Sequence, residues 1–158
     1  MIDDIRNQLL ASIDVKTRSL EACVADTERA AQMLIGCLKA GRRIYLCGNG
    51  GSAADCQHVA CELVGRFMLD RRALPAVALT TDTSILTSVA NDYDYEEVFA
   101  RQVSALAREG DVLVALSTSG NSTNIIKAAV VAHQHGAKVV ALTGAGGGRL
   151  KEQADCLI

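Results

Sequence analysis

Apolar residues recur at helical spacing through the first two dozen positions, at Ile5, Leu9, Ile13, Leu20 and Val24, which predicts a long helix from Ile2 to about Ala25. A second helix is expected over Glu28–Ala40, opened by Asp26 and Thr27 and stopped at Gly41, a suitable C′ residue. From there the period changes. Short apolar runs take over at Ile44–Cys47, Ala76–Thr80 (behind Pro75), Val112–Leu116 and Lys138–Leu142. The Ala76–Thr80 run lacks alternation, which reads as a strand buried on both faces. Helices are predicted between the runs. One is opened by Ser52, one spans Ser84–Ala90 and ends at Asn91-Asp92, and one spans Glu96–Ala107 with Val98, Phe99, Val103 and Leu106 inward. The last of them, Asn124–His135, is closed by Gly136. Gly144–Gly148 reads as a flexible turn, Leu150–Ala154 as a short helix, and Asp155–Ile158 as the start of another strand.

Strands separated by helices predict an α/β fold, a three-layer parallel sheet with right-handed crossovers. The expected type is flavodoxin-like or Rossmann-like, one domain over residues 1–158, with N-terminal helices added. Two helices ahead of the first strand exceed what a plain nucleotide fold needs. The first is long enough to reach past the domain, so it packs either on a partner subunit or as an ordinary covering helix.

Composition narrows the class. A chain of 158 residues can bury roughly 68–70% of its unfolded surface in one core. No apolar run approaches the ~18 residues of a membrane span. The N-terminus turns acidic at Asp3 and lacks a signal pattern, so a soluble cytoplasmic protein is expected. Six cysteines (Cys23, Cys37, Cys47, Cys56, Cys61, Cys156) show no C-x-x-C spacing and read as small core residues in a reducing compartment. A net charge of −2 without a basic block argues against nucleic-acid binding. Any bound anion must therefore be held by local donors.

Two loops offer such donors. Gly48-Asn49-Gly50-Gly51 lies between the first strand and a helix whose predicted N-cap is Ser52, with Asp55 completing a near capping box. Backbone N–H groups at such a turn, with the helix dipole behind them, suit a phosphate. The second loop, Ser117-Thr118-Ser119-Gly120-Asn121-Ser122, puts four hydroxyls before another helix. Both loops fall at the carboxyl ends of strands, where ligands of such sheets bind. His58 and Glu62, spaced i,i+4, share one face of the first of these helices.

Rival motifs fit less well. Gly48–Ala53 satisfies G-x-G-x-x-A, but the acidic ribose ligand belongs about 20 residues on, and Asp82 comes later than that. No lysine follows the glycines, which excludes a Walker loop. His58 and Glu62 suit two ligands of zinc, yet two are too few, so a metal needs another segment or another subunit. Cys61 can reach the same face but reads as core, and His133 and His135 read as solvated.

The segments CGNGGSAADCQH (47–58), Glu62–Phe67, Asn91-Asp92 and REGDVLVALSTSGNS (108–122) resemble the sugar isomerase (SIS) family, and within it the phosphoheptose isomerases, over essentially the whole chain. The resemblance implies conversion of sedoheptulose 7-phosphate to glycero-manno-heptose 7-phosphate for lipopolysaccharide core heptose, by homotetramers with zinc between subunits. Carried over by position, it puts substrate on Asn49, Gly50, Gly51, Ser52, Glu62, Asn91, Asp92, Ser117, Thr118, Ser119 and Ser122. It puts zinc on His58 and Glu62, and makes Glu62 the catalytic base. The family continues past a strand like that at Asp155 into a helix whose Gln and His complete the zinc site; those ligands are expected from beyond Ile158. A non-catalytic class of SIS proteins, scaffolds for the replication initiator, shares the serine loops and the Leu79–Asp82 region. That class tends to lack the carboxylate of Glu62, which favours the enzyme.

Overall fold

In the computed structural model, residues 1–144 and 146–158 are described; Ala145, inside the predicted Gly144–Gly148 turn, lies outside the described residues. Strands β1 (Ile44–Cys47), β2 (Ala76–Ala78), β3 (Val112–Ser117), β4 (Lys138–Thr143) and β5 (Cys156–Leu157) form one parallel sheet in the order β2-β1-β3-β4-β5. The register sets Tyr45 opposite Val77 and Leu113, and Leu113 opposite Val139. This is the flavodoxin-like order, whose switch point lies between β1 and β3.

Among the described residues six α-helices accompany the sheet: α1 (Ile2–Ala22), α2 (Val24–Lys39), α3 (Gly51–Val64), α4 (Thr83–Asp92), α5 (Val98–Leu106) and α6 (Thr123–Gln134). Short 3₁₀ turns stand at Tyr95–Glu97 and Gly148–Gln153. Alternate strand residues face opposite layers. Ile44, Leu46, Val112, Val114 and Val140 pack with Cys37 and Leu38 of α2 and Cys56 and Ala60 of α3. Tyr45, Cys47, Leu113, Ala115 and Val139 pack with Phe99 and Val103 of α5 and Ile125 and Ala129 of α6. The three-layer α/β reading therefore holds.

A buried carboxylate braces the lower edge of this sheet. Asp111 accepts hydrogen bonds from the backbone N–H of Arg43 (2.8 Å) and of Arg108 (2.9 Å), just before β1 and β3.

Several expectations change. The first two helices meet at Cys23 rather than across an Asp26-Thr27 start, so Asp26 lies inside the first turn of α2. β2 is shorter than predicted and is an edge strand, so Val77 is 41% exposed instead of buried. Leu106 ends α5 and is likewise exposed, while Val98, Phe99 and Val103 are buried as predicted. The predicted Leu150–Ala154 helix is a 3₁₀ turn that starts earlier, at Gly148. Four cysteines are core residues; Cys23 is half-buried and Cys61 exposed, and all are free thiols. Burial pushes the Cys56 thiol up to about 12 and Cys47 well above its usual range, which leaves both unreactive.

α1 buries none of its side chains. Ile5, Leu9, Ile13 and Leu20 remain 57%, 62%, 59% and 70% exposed. Each such side chain forgoes on the order of 1–2 kcal/mol relative to full burial. Covering the domain is not what this helix does. No helix among the described residues is long and apolar enough to cross a membrane.

Candidate active site

The two donor loops meet at the switch point, beyond the carboxyl ends of β1 and β3. The first turns into α3 through Gly50, which is the N-cap, with φ +55° and ψ −120°. That conformation is open to glycine and strained for other residues. Ser52, expected as the cap, lies inside the first turn, and no side chain caps the helix. Ser52 lines the cleft instead.

The second loop is closed on itself. Ser117 Oγ donates to Ser122 Oγ at 3.1 Å, and the Asn121 N–H donates to Ser119 Oγ at 3.1 Å. Ser122 caps α6 without a side-chain hydrogen bond, so the first N–H groups of that helix remain for a ligand. Behind the loop, Arg149 donates from its backbone N–H to Asn121 Oδ1 (3.1 Å) and from Nη2 to Asn121 O (3.4 Å). Gly144, Gly147 and Gly148 approach this loop closely, and it is held by Gly144 N–H donating to Thr118 O and Leu150 N–H donating to Gly120 O.

Asn49, Ser52, Ser117, Thr118, Ser119 and Ser122 line one cleft of about 220 Å³. An adjoining space of about 260 Å³ shares Ser52, Ser117 and Thr118 and adds Asp55 and Thr143, which sequence reasoning did not place at the site. Gly50 and Gly51 form the exposed start of α3.

His58 and Glu62 stand farther along α3, with His58 Nε2 3.5 Å from Glu62 Oε1. They open on a different cavity, of about 630 Å³, walled by Arg66, Phe67, Met68, Leu69 and Arg71. Arg71 closes the end of α3: Nη2 donates to Glu62 O (2.7 Å) and Nη1 to Leu63 O (2.9 Å) and Gly65 O (3.2 Å). Arg71 has no role in the sequence reading; a cation just past a helix end was the missed signal. Asn91 and Asp92 end α4, exposed and hydrogen-bonded to each other at 2.8 Å, and line neither cavity. His133 is exposed, as read, and also pairs with Asp155 at 3.0 Å.

An imidazole nitrogen and a carboxylate oxygen on one exposed helical face suit half of a zinc site. Among the described residues no cluster of three or more such ligands forms.

Comparison with known proteins agrees with this architecture. A phosphoheptose isomerase of Akkermansia muciniphila is 54% identical over 158 residues, covering all of this chain and 83% of that protein. The solved phosphoheptose isomerase of Neisseria gonorrhoeae superposes with a TM-score of 0.92 at 46% identity, over 98% of this chain and 83% of that one. That of Francisella tularensis gives 0.95 at 38% identity, over 99% and 83%. The SIS domain model matches residues 10–144, and the chain belongs to the SIS domain family.

Proposed function

We propose that this chain is a phosphoheptose isomerase, an aldose–ketose isomerase of a single SIS domain. It interconverts sedoheptulose 7-phosphate and D-glycero-D-manno-heptose 7-phosphate in the cytoplasm, toward lipopolysaccharide core heptose. The observation that carries this reading is the pairing of two donor loops at one switch-point cleft with a carboxylate on the helix that leaves it.

The serine loop and the α6 N-terminus hold the phosphate, which fixes the sugar far from the reacting carbons. Asn49, Gly50, Gly51 and Ser52 contact the sugar, with Asn91 and Asp92 brought in by the assembled enzyme. Glu62 takes a proton from C1 of the ketose and returns it to C2, while the hydroxyl proton passes from O1 to O2 through the enediol. His58 and Glu62 would hold a zinc ion together with ligands from elsewhere, and such an ion would supply Lewis-acid polarisation of the substrate oxygens. The apolar face of α1 joins subunits of a homo-oligomer, a tetramer. The scaffold alternative is not favoured: Glu62 is present, and relatives at about half identity are named phosphoheptose isomerases.

Glu62→Gln tests the reading, since it keeps the shape and removes the base. Solvent deuterium exchange at C1 should fall by about 10²–10⁴-fold with sugar-phosphate binding retained. Wild-type protein supplied with zinc that neither exchanges nor turns over any heptose phosphate would sink it.

A further inference from the structure

The glycine loop and the start of α6 are joined by a reciprocal amide pair. Asn49 Nδ2 donates to Asn124 Oδ1 and Asn124 Nδ2 donates to Asn49 Oδ1, both at 2.9 Å, across 75 residues of sequence. Asn124 is 4% exposed and is the second residue of α6, directly behind the serine loop. A third bond comes from the Tyr95 hydroxyl, which donates to Asn49 Oδ1 at 3.2 Å. Oδ1 of Asn49 therefore takes two donors and has no lone pair left. Its Nδ2 spends one hydrogen on Asn124 and keeps the other, while Asn49 lines the cleft with Ser52 and the serines.

The segment carrying Tyr95 is held by the same helix. Lys127, one turn after Asn124, pairs with Glu97 at 2.7 Å and Glu96 at 3.0 Å, the two residues after Tyr95. An asparagine amide on a glycine loop otherwise has a broad, roughly two-fold rotor. Here α6 reaches it directly through Asn124 and indirectly through Tyr95.

We propose that Asn124 is a positioning residue: with Tyr95 it locks the Asn49 carboxamide so that its remaining N–H meets a sugar oxygen, and it ties that orientation to the helix end that holds the phosphate. The proposal rests on the isomerase reading. A bond network of this kind can also be a plain staple between loops, and the two roles differ in what they move. A staple changes phosphate binding and melting together with activity. A positioning residue changes turnover through Asn49 alone.

Asn124→Ala and Tyr95→Phe, each alone and in an Asn49→Ala background, separate the two. In the intact, zinc-supplied protein, Asn124→Ala should lower kcat/KM on the order of 10²-fold, the effect of a misplacement of about 1 Å. Affinity for inorganic phosphate should not change. In the Asn49→Ala background neither substitution should lower kcat/KM further, because both act through the side chain already removed. Additive losses, or loss of phosphate binding in step with activity, overturn the proposal. If Asn124→Ala does not fold, Tyr95→Phe on the exposed tyrosine carries the same cycle. The Asn49 side-chain amide, followed by ¹⁵N NMR, reads the lock without turnover: slow exchange in wild type and fast exchange in Asn124→Ala are expected. Fast exchange in the wild type overturns the lock even in an active enzyme. A slowly exchanging amide in a protein inactive on every heptose phosphate overturns the isomerase reading, and with it the catalytic role of the lock.

Discussion

Gly120→Ala is the sharpest test of the phosphate loop. Gly120 is left-handed, with φ +64°, and its backbone is pressed against the turn at Gly147-Gly148. A Cβ there would fall far inside contact distance of the Gly147 carbonyl and 2.8 Å from Gly148 N. The obstruction is backbone on both sides, so no side chain can swing away. Left-handed geometry alone costs an L-residue about 1–2 kcal/mol. For a chain of this size that is a fall of about 2–8 °C in Tm. Since real Cβ atoms keep at least 3.0 Å, the two loops must also part by about 1 Å, a displacement worth on the order of 10² in rate. The hydrogen bonds at risk are Leu150 N–H to Gly120 O (2.8 Å) and Gly144 N–H to Thr118 O (2.9 Å), which hold the serine loop from behind. Differential scanning fluorimetry with and without sugar phosphate measures both effects. At about 100 times Kd, ligand should stabilise the wild type by ~2.7 kcal/mol, or about 5–11 °C. The variant should melt lower and lose most of that rise. A Gly120→Ala protein with wild-type Tm and a full response to sugar phosphate would refute the argument that this loop grips the phosphate in the shape described.

Three further outcomes follow from other parts of the molecule. Arg71→Ala uncovers the last carbonyls of α3 and should cost about 1.5–3 kcal/mol, read as a lower Tm and faster hydrogen exchange near Val64; Arg71→Lys should recover only part of it, because a point charge cannot span three carbonyls. Burial alone would raise the Asp155 carboxyl, but the Val139 N–H (2.7 Å) and His133 (3.0 Å) outweigh it and hold it below the ordinary 3.8. Its contribution is therefore complete above that value and is lost as pH falls through the depressed one, so Asp155→Asn should show a shallower decline of Tm than wild type below about pH 4; equal slopes would contradict it. Light scattering at micromolar concentration should give a tetramer mass, and Ile5→Asp with Leu9→Asp should shift it downward; a wild-type monomer would remove the assigned role of α1.

The sequence carried the parallel sheet and the identity of both loops because each rests on local signals, unbroken apolar runs and glycine or serine before a helix. It failed where a feature depends on position within the sheet or on distant partners. Ala76–Thr80 has the composition of a central strand, and nothing in it tells that β2 lies at the edge. Ser52 has the chemistry of a cap, yet Gly50 takes the role because its backbone turns in a way serine does not. The glycines of 144–148 suggested looseness; Gly147 and Gly148 instead give the close approach that Gly120 requires. Tyr95 and Asn124 meet at Asn49 from 46 and 75 residues away, and no local pattern marks either.

The surfaces left uncovered follow from the same layering. Both faces of the sheet are already filled, one by α2 and α3 and the other by α5 and α6. The apolar side of α1 and the Phe67–Leu69 segment, 67–77% exposed, have no interior left to enter. Phe67 also holds a left-handed backbone, at φ +48°, beside the cavity that receives His58 and Glu62. On the proposed assembly, neighbouring subunits cover apolar surface that this chain by itself leaves exposed, and the proposed zinc lies between them. Removing the α1 contact should then cost zinc affinity as well as mass.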